Sequence, residues 1–403
     1  MCVLAVIVVS EFQFRVRDED EAVSGRPDLF VLLEVATYAC VGAFVLLRFR
    51  PRPRRRRPDD GLATYALGYG FGCVLVLSAV YSPYLSLAVV RAGQVVVVVV
   101  LFTALMRHVG PGALHRVAHV YCVLLAAAVL FGVLVPFPRT TQPDRFTWLH
   151  VHPVQAGEML GIAVVLLIAY LVTHRLDRTG PRWPLPVYLA LLAACAGGIV
   201  ATQTRGAVFG AVVGTAVVVW TRWRGSRKVE VGALGAVVLG LIALTSWHAI
   251  GEFVTRGESA ERLSTLNART ELWALAMEQV ARHPLYGSGL AASRGVFLEA
   301  MGLGGGHNAL VNLLVDTGLV GGAIWLALLV TIGVAAARLV NSTGTVRVDG
   351  IIVLSVLCGM VANSVFTEEL GTPANAAFTW LYLLLAWIIV ARDTARHRDR
   401  PVL

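Results

Sequence analysis

The stretch "GGGHNALVNLLVDTGLVGG", from Gly304 to Gly322, passes without a break from a glycine run into an apolar pattern that continues to residue 337. A helix that crosses a membrane needs about 20 mostly apolar residues, so this stretch predicts a membrane helix. Two polar side chains, His307 and Asn308, stand at its first turn. The rest of the chain decides what these two side chains do there.

Similar apolar runs recur along all 403 residues, of which 57% are hydrophobic and only 15% charged. Soluble domains usually carry about 25% charged residues, so the composition predicts an all-α, polytopic membrane helix bundle. We expect about 11–12 transmembrane helices. The candidate spans are 1–10, 28–47, 62–80, 84–106, 114–135, 154–173, 184–201, 206–220, 229–250, 308–337, 349–366 and 376–391. The first run is short and lacks the basic region of a signal peptide, so we interpret it as a short or truncated span.

These spans and the long loop between them predict four parts of the chain. They are N-terminal spans with a basic cytoplasmic loop (1–60), a membrane helix bundle (61–250), an extracytoplasmic loop with an amphipathic helix (251–306), and C-terminal membrane helices with a cytoplasmic tail (307–403).

Basic residues give the orientation. With a cytoplasmic N-terminus, 22 of the 34 basic residues fall in inside loops and 11 in outside loops. Because cytoplasmic loops carry the excess of Arg and Lys, we expect both termini inside and one large loop outside. The net charge of +9 does not indicate nucleic-acid binding, because the charges lie in short loops. The basic run 48–58 is typical of contacts with anionic membrane lipids.

Three features of the predicted outside face stand out. Arg205, in "TQTRGAVFG" (202–210), lies between two spans, where it either snorkels to the interface or binds a ligand. Arg269 lies in the first turn of an amphipathic helix predicted in "LNARTELWALAMEQVARHPLYGSG" (266–289), with Asn267 as its cap and His283-Pro284 as its stop. Its apolar face holds Leu272, Trp273, Ala276, Met277 and Val280. An arginine beside a helix N-terminus predicts an anion site.

His307 is the third feature. Its position near the positive end of a helix predicts a lowered imidazole pKa and a neutral, proton-accepting ring. Alternatively, His307 only caps the helix or packs against it. Lesser candidates on the same face are Glu158 within "HVHPVQAGEML" (150–160) and the pair Glu368 and Glu369 in "VFTEELGTP" (365–373). Arg91, which falls within a span, is a weaker candidate than Glu158, and either of these two could be a structural hydrogen-bond partner.

The three segments "TQTRGAVFG", "RTELWALAMEQVARHPLYGSGL" and "GHNALVNLLVDTGLVGG" occur in an order that resembles the O-antigen ligase and polymerase superfamily. The resemblance implies a bacterial inner-membrane glycosyltransferase that uses an undecaprenyl-diphosphate-linked glycan on the extracytoplasmic face. It implies required roles for Arg205, Arg269 and His307, and we add Asn308 and Glu158 as substrate-binding candidates. Both arginines would bind the diphosphate, and His307 would accept a proton from the acceptor hydroxyl.

Two kinds of alternative remain open at this point. The first is a related enzyme, either a repeat-unit polymerase or a protein O-glycosyltransferase, since the acceptor is a glycan, a lipid or a protein. The second is a transporter, which would place charges near the membrane midplane. The sequence contains no dinucleotide fingerprint, P-loop or metal-ligand spacing, so we expect neither a cofactor nor a metal.

Overall fold

The structure of the protein is a computed structural model that describes residues 1–12, 28–48, 62–135, 145–173, 183–223 and 269–398, with the single positions 137, 225, 227–230, 232 and 251. Every regular element in these ranges is helical. A single 3₁₀ turn, Ala79–Tyr81, is found among the described residues. In chain order, the α-helices are α1 (Cys2–Glu11), α2 (Leu29–Arg48), α3 (Leu62–Ser78), α4 (Leu85–His108), α5 (Pro111–Leu134), α6 (Pro153–Thr173), α7 (Leu185–Thr202), α8 (Arg205–Arg222), α9 (Arg269–Arg282), α10 (Ala292–Met301), α11 (Ala309–Val340), α12 (Gly344–Ser364) and α13 (Ala376–Arg398).

The predicted all-α membrane bundle is confirmed. Within the described ranges, nine helices are long and apolar enough to cross a membrane, and each corresponds to a predicted span. Twelve spans were predicted, and the three that have no counterpart among these nine helices are 1–10, 206–220 and 229–250. The run 1–10 forms α1, which has only 10 residues and is too short to cross. The run 206–220 lies in α8, an 18-residue helix with an arginine at each end. The run 229–250 falls almost entirely outside the described residues.

The centre of the bundle is α13, whose apolar side chains are buried on all sides by α1, α3–α6, α11 and α12. Trp380 and Trp387 are fully enclosed there. A helix that is apolar all round is stable only where other helices surround it, and α13 and α6 fit that description. By contrast, α2 lies at the edge and exposes Leu29, Phe44 and Leu47.

A seam of small residues joins α8 to α12. Gly206, Gly210 and Gly214 recur every four residues and so lie on one face of α8. A Cβ added at Gly210 would lie 2.6 Å from the carbonyl oxygen of Gly359, and one at Gly214 would lie 2.9 Å from that of Ser355. The two backbones therefore touch, as small residues allow in membrane helix pairs. This contact fixes the first turn of α8, where Arg205 lies.

The helix α11 is interrupted at Gly318, whose φ of 63° and ψ of −163° are not helical. The backbone groups that the break frees are bonded by the segment 284–289. Leu319 N donates to Pro284 O (2.9 Å), and Ser288 N donates to Val315 O (2.7 Å). Backbone polar groups inside a membrane protein must find internal partners, and this segment supplies them. The apolar sequence predicted one continuous span, so the break is a difference from that prediction.

A buried carboxylate on α11 supports the same segment. Asp316 is 2% exposed and accepts hydrogen bonds from Ala291 N (3.1 Å) and Ser293 N (2.7 Å). These N–H groups belong to the start of α10, where a helix has no partners of its own. Asp316, on α11, therefore caps the N-terminus of α10. It also holds residues 284–293 next to the break at Gly318.

The predicted helix within 266–289 is present as α9, and it ends at Arg282, just before the His283-Pro284 stop. Leu272 and Ala276 are buried in a small apolar cluster with Phe297 and Val315, so α9 and α10 both rest on α11. Met277, assigned to the same apolar face, is 46% exposed and does not belong to this cluster. Residues 252–268 of the predicted outside loop, with the expected cap Asn267, lie outside the described residues. The four-part division of the chain stays a prediction.

Candidate active site

Arg205 is the first residue of α8 and follows a tightly held turn. Gln203 in this turn has a left-handed backbone, with φ of 52°. Arg145 fastens the turn by donating from Nε to the carbonyl oxygen of Thr202 (2.8 Å) and from Nη2 to Oγ1 of Thr204 (2.9 Å). Thr204 in turn donates to the carbonyl oxygen of Pro153 (2.9 Å), which joins the turn to α6. The position of Arg205 is therefore set by a rigid turn.

Arg269, the first residue of α9, meets Arg205 around one aromatic side chain. Its guanidinium lies 5.6 Å from the ring centroid of Phe366 and donates from Nη2 to the Phe366 carbonyl oxygen (3.4 Å). On the other side, a Cβ at Gly206 would lie 2.8 Å from Cβ of Phe366, so the start of α8 abuts the same residue. Phe366 thus brings together two arginines that are 64 positions apart in the chain.

The two arginines also sense each other electrostatically. The pKa of Arg269 is lowered from its usual value, first by burial and second by the positive charge of Arg205. Two positive charges held close together and away from water repel each other, and an anion between them relieves that repulsion. Guanidinium groups suit an oxyanion such as phosphate because their N–H groups form a planar fork. The arrangement is therefore suited to binding an anion.

His307 lies next to this pair. Burial, and after it the positive charge of Arg269, lowers the pKa of the His307 imidazole. The predicted direction of this shift is confirmed, but the largest causes are burial and Arg269, whereas the sequence interpretation gave the helix dipole. A neutral imidazole at neutral pH has a free lone pair and can accept a proton. His307 also adopts a left-handed backbone with φ of 50°, which is uncommon for a residue with a side chain.

The residue that caps α11 is Asn308. Its Oδ1 accepts from Val311 N (3.1 Å), and its Nδ2 donates to the carbonyl oxygen of Val365 (3.2 Å). His307 is therefore not the cap of α11, because Asn308 has that role. The Asn308 side chain joins the start of α11 to the 365–368 loop, and its predicted substrate contact stays a prediction.

Glu158 lies one layer deeper than the three main candidates. It is 4% exposed on α6, lines a cavity together with Asn363 and lies near Glu369. Asn363 faces the seam near Arg205, since its Oδ1 would be 3.0 Å from a Cβ at Gly206. Glu158 therefore lies beneath the arginine pair, within the bundle, and its predicted role in substrate binding stays a prediction.

Arg91, the weakest candidate, makes structural contacts. Its Nη1 donates to Oε1 of Gln94 (3.4 Å) and to the carbonyl oxygen of Ala374 (3.3 Å). The first bond lies within α4, and the second joins α4 to the loop before α13.

Two contributors to the site were not identified from the sequence. Phe366 lies in the segment "VFTEELGTP", in which only the two glutamates were candidates for function. Arg145 counted only as one of the outside arginines, and nothing in its own surroundings in the sequence indicates that it holds the turn before Arg205. Both act through contacts between distant parts of the chain, so spacing alone could not reveal them.

Comparison with known proteins finds similarity to O-antigen ligases. Residues 189–326 match the family described as O-Antigen ligase, and the matched region contains Arg205, Arg269 and His307. The resemblance to the O-antigen ligase family is confirmed. The chain is also 26% identical over 296 residues to an O-antigen ligase of Pseudomonas aeruginosa, an alignment that covers 72% of this chain and 69% of that protein. These O-antigen ligase matches support an enzyme of the multi-pass bacterial membrane class, with a glycosyltransferase-like role in surface polysaccharide assembly.

Proposed function

We propose that the protein transfers a glycan from a polyprenyl-diphosphate carrier to an acceptor hydroxyl at the outer face of the bacterial cytoplasmic membrane. The observation that carries the proposal is the meeting of Arg205 and Arg269 around Phe366, with His307 close enough to Arg269 for its pKa to respond. An anion site beside a neutral imidazole suits the displacement of a diphosphate by a hydroxyl group.

In the proposed reaction, the acceptor hydroxyl oxygen bonds to the anomeric carbon of the glycan as the bond from that carbon to the diphosphate oxygen breaks. The electron pair of the broken bond leaves with the diphosphate, whose added charge Arg205 and Arg269 stabilise. The hydroxyl proton goes to the His307 imidazole. A single attack from the opposite side inverts the anomeric centre.

Each residue type has a physical reason in this scheme. A planar guanidinium makes two parallel hydrogen bonds to a phosphate, which an ammonium group cannot copy. A positioned general base typically contributes about 10²- to 10⁴-fold to the rate. The lowered pKa of His307 keeps its ring in the accepting form at neutral pH.

The test uses the full-length protein, purified in detergent, with a polyprenyl-diphosphate-linked glycan. Three acceptors are offered in parallel: a lipid-linked core oligosaccharide, a second repeat-unit glycan and a protein. Transfer to the lipid core alone supports a ligase, and transfer to the glycan or the protein supports the related enzymes. If the wild-type protein binds the donor but transfers to none of the three acceptors, the proposal is refuted.

Variants of the two arginines and of His307 complete the test. We expect Arg205→Lys and Arg269→Lys to weaken donor binding and transfer, and His307→Ala to abolish transfer while donor binding stays normal. Arg282→Lys is the matched control, because Arg282 ends the same helix as Arg269 and its exposed side chain pairs only with Glu278 (2.6 Å) among the contacts described.

A further inference from the structure

The backbone just before His307 is held by three side chains from three different elements. On α9, Trp273 donates from Nε1 to the carbonyl oxygen of Gly306 (3.0 Å). On α11, Asn312 accepts from Gly306 N at Oδ1 (2.8 Å). Its Nδ2 donates to Oε2 of Glu368 in the loop after α12 (3.1 Å). The backbone N–H of His307 lies close enough to the Glu368 carboxyl group to lower its pKa. We call Trp273, Asn312 and Glu368 the His307 frame.

The glycines before His307 are required by the His307 frame. A Cβ at Gly305 would collide with the Glu368 carboxylate, and a Cβ at Gly306 would lie 2.7 Å from Oδ1 of Asn312. The backbone of the glycine run therefore lies against polar side chains at distances that only glycine permits. The segment before His307 is therefore closely held.

The His307 frame also connects His307 to the arginine pair. Trp273 follows Arg269 by one helical turn on α9, and Glu368 follows Phe366 by two residues in one loop. The contact of Arg269 with Phe366 and the chain from Trp273 to Glu368 therefore form two links between the same helix and the same loop. His307 follows Gly306 of the second link, and the charge of Arg269 in the first link lowers its pKa. A change in either link alters how His307 faces Arg269.

We propose that Glu368 is a positioning residue for His307, which it holds in place through hydrogen bonds to the His307 backbone and to Asn312. This inference rests on the proposed glycan transfer and deepens it. Glu368 does not react with the substrate. It acts as the acceptor that both the His307 N–H and the Asn312 amide require.

The proposed role of Glu368 depends on its two acceptor oxygens. Glu368 receives two donors, and an ionised carboxylate is an acceptor at both oxygens. A glutamine at position 368 replaces one of the two acceptor oxygens with an NH₂ group, so both donors have to share the oxygen that is left. An aspartate at position 312 would instead face the Glu368 carboxylate and repel it. Glu368→Gln and Asn312→Asp each weaken one hydrogen bond of the His307 frame, and neither changes the volume of the side chain much.

Exchanging both residues restores the pattern. In the double variant Asn312→Asp with Glu368→Gln, the new carboxylate at position 312 still accepts from Gly306 N. The new amide at position 368 can donate its NH₂ group to the second oxygen of that carboxylate and accept from His307 N with its carbonyl oxygen. Every donor again has an acceptor, although no carboxylate remains at position 368. The double variant therefore separates hydrogen-bonded positioning from any need for a charge at position 368.

The protonation of Glu368 makes the hydrogen bonds of the His307 frame depend on pH. Burial, followed by the negative charge of Glu369 in the same loop, raises the pKa of Glu368 to about 7. Three groups oppose that rise: Arg294 on α10, the amide of Asn312 on α11 and the His307 backbone N–H. Protonation of Glu368 below this pKa puts a donor where the His307 frame needs an acceptor. Activity should then fall with decreasing pH because of both His307 and Glu368.

The test measures kcat and KM for transfer from the lipid-diphosphate-linked glycan, over a range of pH, in wild type, Glu368→Gln, Asn312→Asp and the double variant. We expect each single variant to lose kcat by roughly tenfold or more with little change in KM, since small misplacement of a catalytic group is costly. The double variant should recover to near the wild-type kcat. On the acid side, the rate should respond to two protonations in wild type and to one in Glu368→Gln.

Glu299→Gln is the matched control, because Glu299 on α10 also accepts a hydrogen bond, from Tyr84 (2.6 Å), but is no part of the His307 frame. Wild-type kcat in Glu368→Gln would overturn the inference. So would a double variant as slow as the single variants, since the carboxylate itself would then be required. If wild type transfers no glycan, it is the proposed function that fails. Elution as a single species in size-exclusion chromatography checks that each variant folds, and the double variant still tests the inference if a single variant does not fold.

Discussion

The break in α11 gives the sharpest prediction about stability. At Gly318, φ is 63° and ψ is −163°, a region of backbone space that only glycine adopts readily. A Cβ there would lie 2.5 Å from the carbonyl carbon and oxygen of Leu285. The substitution Gly318→Ala therefore forces the 284–289 segment away from the break.

The magnitude follows from two contributions. Holding a residue with a side chain in this backbone conformation costs about 1–3 kcal/mol. Moving the segment also strains the bonds from Leu319 N to Pro284 O and from Val320 N to Leu285 O, together worth about 2 kcal/mol. We therefore expect Gly318→Ala to lower the free energy of unfolding by about 3–5 kcal/mol.

Gly333→Ala is the matched control in the same helix. A Cβ at Gly333 would meet only Cδ2 of Leu357 at 3.6 Å, an ordinary contact. Alanine in a helix interior is favoured over glycine by about 0.5–1 kcal/mol, so this variant should be as stable as wild type or slightly more stable. Unfolding in mixed micelles with increasing SDS, followed by tryptophan fluorescence, measures both. Equal stability of the two variants would refute the role of the break.

Four further predictions concern the site and its orientation. Arg269→Lys should weaken donor binding by roughly tenfold or more, whereas Arg282→Lys should not; equal binding in both would remove Arg269 from the anion site. The asparagine in His307→Asn tolerates a left-handed backbone, so this variant should fold, bind the donor and lose transfer, and an active variant would show that the imidazole is not the base. Because the pKa of His307 is lowered, wild-type activity should rise with pH through that pKa and then level off; a rate that falls over this range would contradict a neutral base. For orientation, His283→Cys in a background without the six native cysteines should react with an impermeant thiol reagent from the outer side, and labelling only from the cytoplasmic side would reverse the predicted topology.

The sequence predicted the helices well because each long apolar run needs little more than its own composition to identify it. All nine membrane-crossing helices in the described ranges coincide with predicted runs. The end of α9 was also predictable, since His283-Pro284 stops a helix locally. The break at Gly318 was not predictable, because the residues that satisfy it, Pro284 to Gly289, come from a separate segment.

The part of the site that local sequence signals reveal was predicted from the sequence, and the rest was not. Arg205, Arg269 and His307 carry chemistry that their own neighbours in the sequence make conspicuous, and the structure brings Arg205 near Arg269 and Arg269 near His307. The residues that bring them together are ordinary in sequence. Phe366 and Asn312 acquire their roles only when α9, α11 and the 365–368 loop meet, which no local pattern records.

The interruption of α11 also determines how far His307 stands from the lipid. From Leu319 to Val340, the helix rises about 33 Å, which is enough by itself to cross a hydrocarbon core about 30 Å thick. The ten residues from Ala309 to Gly318 are surplus to that crossing and extend it by up to about 15 Å. The lipid headgroup layer is only about 5–8 Å deep on each side. With residues 319–340 as the crossing part, the acceptor hydroxyl of the proposed reaction would reach the imidazole without entering the bilayer, while the proposed lipid carrier would have to raise its diphosphate towards it.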